Sequence, residues 1–255
     1  MKLTNCHLWR DHLHGVTYGG TEVNIRGKTT RELLHKSLSL DMEYPAITLV
    51  HRKVSYALLF AEAYWMITGS NKLKDIEPWC ARMREYSDDG KTLSGAYGPK
   101  FVKQVDHVVH VLKKDLRSRQ AVMTFWERNP MASKDIPCTI SMQFLVRENY
   151  IHTVVNMRSS DTWLGLPYDI FSFSMMTQFV RLRLGRGLLP GMLHLNFASS
   201  HIYLTDLVKV HEFLEAPIVI EQYKDMGLYD LKHPDELRDY LKFNRDHPRN
   251  FLDIP

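Results

Sequence analysis

The chain has only three cysteines, Cys6, Cys80 and Cys138, far apart and without CxxC spacing. An odd, sparse set of this kind gives no disulfide framework and no zinc spacing, and it points to a reducing compartment. Uninterrupted apolar runs of about eighteen residues are absent, so no membrane span is expected. The N-terminal MKLTNCHLWRDHLHG lacks the apolar h-region of a secretory leader. A cytoplasmic protein is the expectation. With no internal repeat, low-complexity tract or Pro/Gly/Ser-rich linker, residues 1–255 read as a single domain. Neither charge sign dominates: the net charge is +4 and the isoelectric point about 8.8. That mild basicity suits phosphorylated small molecules and is too weak for a nucleic-acid groove.

What is present is an ordinary folding composition, 44% hydrophobic and 24% charged, with 5 Trp, 12 Tyr and 11 Phe for a core. TTRELLHKSLSL, residues 29–40, places Glu32 three residues after Thr29, a capping-box pattern that predicts a short helix. VSYALLFAEAYWMI, residues 54–67, is apolar nearly all round and predicts a buried helix ending at Gly69. Residues 71–100 are polar, contain Gly90, Gly95 and Gly98, and read as irregular. Strands are predicted at 120–126, 139–147 and 151–157, the last two joined as a hairpin. A central helix is expected over 168–184, a strand over 192–198, a helix over 201–214 and a late strand over 217–222. Strands and helices do not alternate regularly, so an α+β fold is expected rather than a doubly wound parallel sheet.

Several residues are chemically out of place. Glu62 sits in the middle of the apolar helix, where burial raises a carboxyl toward neutrality and suits acid–base work. Cys138 follows Pro137 at the start of a strand, and Arg158-Ser159-Ser160-Asp161 follows the next strand. A hairpin would bring the guanidinium near the sulfur and favour the nucleophilic thiolate. Taken alone, Cys138 reads more readily as a buried structural thiol than as a nucleophile. His107 and His110 in HVVHV stand at i,i+3 without an acidic partner, so no metal site is expected.

In order along the chain, AEAYWMITGSN (61–71), Trp79, SGAYG (94–98), PC (137–138), QF (143–144), MRSSD (157–161), LGLPYD (164–169) and SSHIY (199–203) resemble the thymidylate synthases and the related pyrimidine nucleotide hydroxymethylases. The resemblance covers roughly residues 60–205. It implies a thymidylate-synthase-like fold with a mixed sheet and packed helices, working as a homodimer through the sheet. Cys138 would add to C6 of a pyrimidine nucleoside monophosphate, and C5 would accept the one-carbon unit of 5,10-methylenetetrahydrofolate. Arg158 would hold the 5′-phosphate and lower the thiol pKa, and Ser159 would add a phosphate hydrogen bond. Arg119 matches the position that reaches the phosphate from the other subunit; Gln120 stands where a second Arg is common, with Arg117 as a possible replacement. Arg26 is a candidate for the phosphate loop and reads equally as a solvated basic turn. His201 and Tyr203 match the residues that bond the sugar 3′-hydroxyl. Glu62 matches the carboxylate that organises proton transfer and water. Trp79, Asp161 and Tyr97 match positions near the folate and the reaction centre.

The resemblance implies that the base is read at Asp169 in LGLPYDIF. Thymidylate synthases of this type have Asn there, matched to the uracil edge. Cytosine presents an amino donor at C4 and an acceptor at N3, which a carboxyl group can meet. Asp at this place, and Met157 before the Arg in VVNMRS, resemble the deoxycytidylate hydroxymethylases of T-even-type phages. The resemblance therefore implies hydroxymethylation of dCMP or CMP. Methylation of dCMP, dUMP-to-dTMP synthesis, and a nucleotide- or RNA-binding relic of the family are the alternatives.

Overall fold

The computed structural model describes residues 4–128, 130, 132–222 and 227–251. The chain forms α1 (Asn5–Gly19), β1 (Thr21–Ile25), β2 (Lys28–Asp41), α2 (Tyr56–Ile67), α3 (Tyr97–Lys114), β3 (Val122–Thr124), β4 (Thr139–Arg147), β5 (Tyr150–Met157), β6 (Ser160–Asp161), α4 (Leu166–Leu184), β7 (Leu189–Tyr203), α5 (Leu207–Glu215) and α6 (Pro234–Asp246). The sheet runs β1-β2-β7-β5-β4-β3, with β6 beside β7. All neighbours are antiparallel except β5 and β6 against β7. This mixed sheet with packed helices is the expected α+β architecture. No described helix is long and apolar enough to cross a membrane.

One sheet face is apolar. Met142, Phe144 and Val146 of β4, Ile151, Val155 and Met157 of β5, and Leu193, Leu195 and Phe197 of β7 are all buried. These alternate positions form the core face, as the two-residue period of a strand requires. The helix α4 packs there, buried along almost its whole length and ended by Gly185 at φ 65. The helix α2 lies against α4, with Phe60 edge-on to Phe171 at 5.1 Å. The ring of Phe251 covers α2 from the far side, 5.1 Å from Phe60 and 5.2 Å from Tyr56. The opposite sheet face is polar: Asn156 donates to Ser141 at 3.1 Å and accepts from Asn196 at 3.1 Å, and Ser39 bonds His194.

Three sequence expectations fail here for identifiable reasons. Residues 29–40 are strand β2, not a helix. Glu32 is not a capping residue; its carboxylate accepts from the Ser199 hydroxyl, and β2 pairs with β7 from Thr30↔Tyr203 to Asp41↔Met192. Cross-strand pairing overrides a local helical signal worth only fractions of a kcal/mol per residue. Residues 201–203 end β7 instead of opening a helix, and α5 begins at Leu207. Residues 217–222 pair only at Ile220, with Leu49. The expected helix at 54–67, the strands at 139–147 and 151–157 and the central helix appear as α2, β4, β5 and α4. The strand expected at 120–126 shrinks to β3, whereas that at 192–198 extends to β7. The stretch 71–100 is irregular up to Tyr97, where α3 begins. His107 and His110 lie on the exposed face of α3, opposite Phe101, Val105, Val108 and Leu112.

Candidate active site

Cys138 lies one residue before β4 and Arg158 one residue after β5, and those strands pair at Thr139↔Met157. Twenty residues of sequence are thus folded back on themselves, and the Arg158 N–H donates to the Cys138 carbonyl at 2.9 Å. The Arg158 guanidinium is fixed by two carbonyls of the same approach segment. Its Nε donates to Pro137 at 2.9 Å and an Nη to Ile136 at 3.0 Å. Trp126 lies under the guanidinium, 5.7 Å from it. The Ser159 side chain hydrogen-bonds the Cys138 thiol.

The chain then crosses to β6, where Asp161 pairs with His201 and the Thr162 N–H donates to the His201 carbonyl at 2.8 Å. His201 is nearly buried and meets the Tyr203 ring edge-on at 5.4 Å. Tyr97, the first residue of α3, accepts the Thr139 N–H at 3.2 Å and lies between Phe125 and Phe173. Asp169 stands in the first turn of α4, and Glu62 in the middle of α2. These two helices are tied by the Tyr168 hydroxyl, which accepts the Ser55 N–H at 3.1 Å.

Three carboxyl groups therefore share one interior region. Burial alone pushes Glu62 up to about 7. Burial, followed by the charges of Glu62 and Asp161, holds Asp169 well above the usual carboxylate range. Asp161 rises to about 6 because its burial outweighs the N–H groups of Leu164 and Trp163, both bonded to its Oδ1 at 2.8 and 3.0 Å. Each group loses water, and Asp169 and Asp161 face further negative charge as well, so the neutral acid is favoured.

The Cys138 thiol corrects an expectation. Arg158 and Ser159 do favour its thiolate, but burial is the larger effect, and Asp169 and Asp135 add to it, so the thiol is pushed up overall. Tyr97 is likewise held well above its ordinary value by burial and by Cys138 and Asp169. Burial lowers His201, keeping its imidazole neutral.

Not every candidate joins this group. Arg119 is exposed in the loop before β3, and its carbonyl accepts from Gln143 at 2.7 Å. Arg117 and Gln120 are exposed in the same loop. Arg26 is exposed at the tip of the β1–β2 hairpin, with φ 52 followed by Gly27 at φ 78, a two-residue turn with both centres left-handed. Trp79 is partly buried under Arg245, whose guanidinium lies 4.6 Å over its ring and 5.1 Å over Tyr64. A cleft of about 590 Å³ opens there, bordered by Trp79, Tyr64, Arg245, Ser70 and Lys72; Cys138, Arg158 and Asp169 do not line it. Arg52, which the sequence reading passes over, lies 4.1 Å over Trp163 and beside Asp161. Nothing local marks it; only packing places it there.

The thymidylate synthase family profile matches residues 3–240. The chain belongs to the thymidylate synthase family. It is 27% identical over 233 aligned positions to the thymidylate synthase of Enterobacteria phage T4, covering 81% of this chain and 79% of that protein. It is 23% identical over 277 positions to that of Francisella philomiragia, covering 94% and 97%. A third match, to the thymidylate synthase of Buchnera aphidicola, is 26% identical and spans 57% of this chain and 59% of that relative. The chemistry of this family is folate-dependent one-carbon transfer to C5 of a pyrimidine nucleotide, with methylenetetrahydrofolate as the donor. Of the two residues expected to meet such a donor, the Trp79 ring borders the open cleft, whereas Asp161 is not among its lining residues and keeps Oδ2 outside the two bonds to its Oδ1.

Proposed function

We propose that this thymidylate synthase family protein hydroxymethylates C5 of a cytidine monophosphate, dCMP or CMP. The observation that carries the reading is Asp169 in the first turn of α4, a carboxyl group that burial and two neighbouring acids hold well above the usual carboxylate range, favouring its neutral form. A neutral carboxyl presents one donor and one acceptor side by side, the complement of cytosine N3 and the 4-amino group.

In this reading Arg158 and Ser159 hold the 5′-phosphate, and His201 and Tyr203 bond the sugar hydroxyl. Arg158's charge beside the sulfur favours the thiolate against the burial that raises the thiol's pKa. Cys138, as thiolate, forms a C–S bond at C6, and the electron pair of the C5–C6 double bond moves to C5, making a poor carbon nucleophile a good one. Bound methylenetetrahydrofolate supplies the carbon at the formaldehyde oxidation level. Glu62, titrating near neutrality, passes protons through water at the ring: the C5 proton is removed, a water adds to the new exocyclic carbon, and Cys138 departs as the double bond re-forms. The balance is nucleotide, water and methylenetetrahydrofolate giving hydroxymethyl nucleotide and tetrahydrofolate. Tyr97, bonded to the backbone next to Cys138, steadies the sulfur.

The functional unit in this proposal is residues 1–255 as one catalytic domain, paired in a cytoplasmic homodimer through the polar sheet face, with Arg119 reaching the partner's phosphate site. Arg26 would join the phosphate from the hairpin tip. A second reading, dUMP methylation, is favoured by the relatives, whose names are all thymidylate synthase. Incubation with methylenetetrahydrofolate and dCMP, CMP or dUMP, with products identified by mass, separates the two. Hydroxymethylcytidylate is the expected product; a methylated product with dihydrofolate accumulating would overturn the proposal.

A further inference from the structure

The segment that delivers Cys138 to the sheet is held by a chain of polar contacts that centres on Asp135. Asp88 accepts from the Ser133 hydroxyl and from the Lys134 N–H at 3.2 Å. Ser133 in turn accepts the Asp135 N–H at 3.0 Å, and the Asp135 Oδ2 accepts the Gly95 N–H at 2.7 Å. Gly95 must be glycine for this approach: a Cβ there would sit 2.8 Å from Asp135 Oδ1 and 2.9 Å from the Asp135 carbonyl. Gly95 is two residues before Tyr97, and Asp135 directly precedes Ile136 and Pro137. Those are the two residues whose carbonyls hold the Arg158 guanidinium.

We propose that Asp135 is a positioning residue: its bond to Gly95 sets the Ile136 and Pro137 carbonyls, and through them aims Arg158 at the space beside Cys138. A carboxylate is suited to this because it accepts a charge-assisted hydrogen bond from a backbone N–H that no secondary structure satisfies. Asp135 touches no reacting atom: its charge also raises the Cys138 thiol, and its positioning role runs through Arg158. What Arg158 then binds rests on the nucleotide reading above.

The test uses the full chain with Asp135→Leu, which removes the acceptor, and Asp135→Asn, which keeps one. The first readout needs no ligand: hydrogen exchange of the Arg158 Nε–H by NMR, assigned by its disappearance in Arg158→Lys. Exchange is expected to quicken about tenfold or more in Asp135→Leu and to stay near wild type in Asp135→Asn. Unchanged exchange in Asp135→Leu would overturn the proposal. Should Asp135→Leu fail to fold, Gly95→Ala, which pushes the carboxylate away, gives the same readout. The second measurement is calorimetric binding of dCMP and of deoxycytidine. Asp135→Leu is expected to weaken dCMP about tenfold and to leave deoxycytidine within about twofold. Faster Nε–H exchange with no phosphate preference in the wild type would retain Asp135 as the anchor of Arg158 and sink the nucleotide reading instead.

Discussion

The Arg158 N–H donates to the Cys138 carbonyl at 2.9 Å, so the backbone of the arginine closes the hairpin that its side chain then returns to cover. Cys138 and Arg158 are thereby held together by main-chain geometry. Neither residue depends on a flexible contact to find the other.

Cys138→Ser removes the thiolate and leaves the phosphate and sugar contacts in place. Turnover should fall by at least about 10³-fold, as for loss of a covalent nucleophile. Nucleotide affinity should stay within about threefold, roughly 0.7 kcal/mol. Product mass spectrometry and calorimetry read the two quantities. Retained turnover would remove Cys138 from the reaction.

Asp169→Asn replaces an acid that can place its proton on either oxygen with an amide whose donor and acceptor are fixed. Preference should move from cytosine toward uracil by about 1–3 kcal/mol, roughly 5- to 150-fold in the ratio of kcat/KM. Competition between dCMP and dUMP measures it. An unchanged ratio would take base reading away from this residue.

Glu62 gives a pH signature whose sign follows from its raised pKa. The native state holds this proton up to about 7, whereas the ordinary value is 4.5. Stability from the group is therefore complete below pH 4.5 and is lost as the pH rises through 7. Glu62→Gln should flatten that decline, making the variant more stable at pH 8 by at most about 3 kcal/mol while costing about 10²–10⁴-fold in turnover. Urea unfolding at pH 5 and pH 8 checks the first claim. An identical pH slope in the variant would refute it.

Arg119 offers a test of the shared site. Arg119→Ala and Cys138→Ser should each be inactive or impaired alone. Mixed and allowed to exchange subunits, they form heterodimers in which one of the two sites has both native residues, so about a quarter of all sites recover. Activity that stays at the sum of the separate variants would confine Arg119 to its own subunit or to no role.

Legibility differed by element. β4, β5 and α2 were plain because burial patterns of period two, or all-round apolarity, agree with their tertiary surroundings. β2 was misread because Thr29 and Glu32 carry a local capping signal, whereas β7, more than 150 residues away, supplies the pairing that decides. α3 carries a helical stripe of Phe101, Val105, Val108 and Leu112, interleaved with the exposed His107 and His110. Within the site, Cys138, Arg158, Glu62, His201 and Asp169 were each visible as residues in motifs. Asp135 and Arg52 were not, since their partners, Gly95 and Trp163, lie 40 and 111 positions away.

The sequence by itself determined the family, the α+β class and the set of polar residues set into apolar surroundings, because motif order and hydrophobic period are written locally. Only the tertiary structure decided the protonation preferences. Arg158 was expected to lower the Cys138 pKa, and the direction of its effect is as expected. Burial together with Asp169 and Asp135 outweighs it. Desolvation depends on how many other segments surround a group, and that is settled only when α2, α4 and the sheet close over one another.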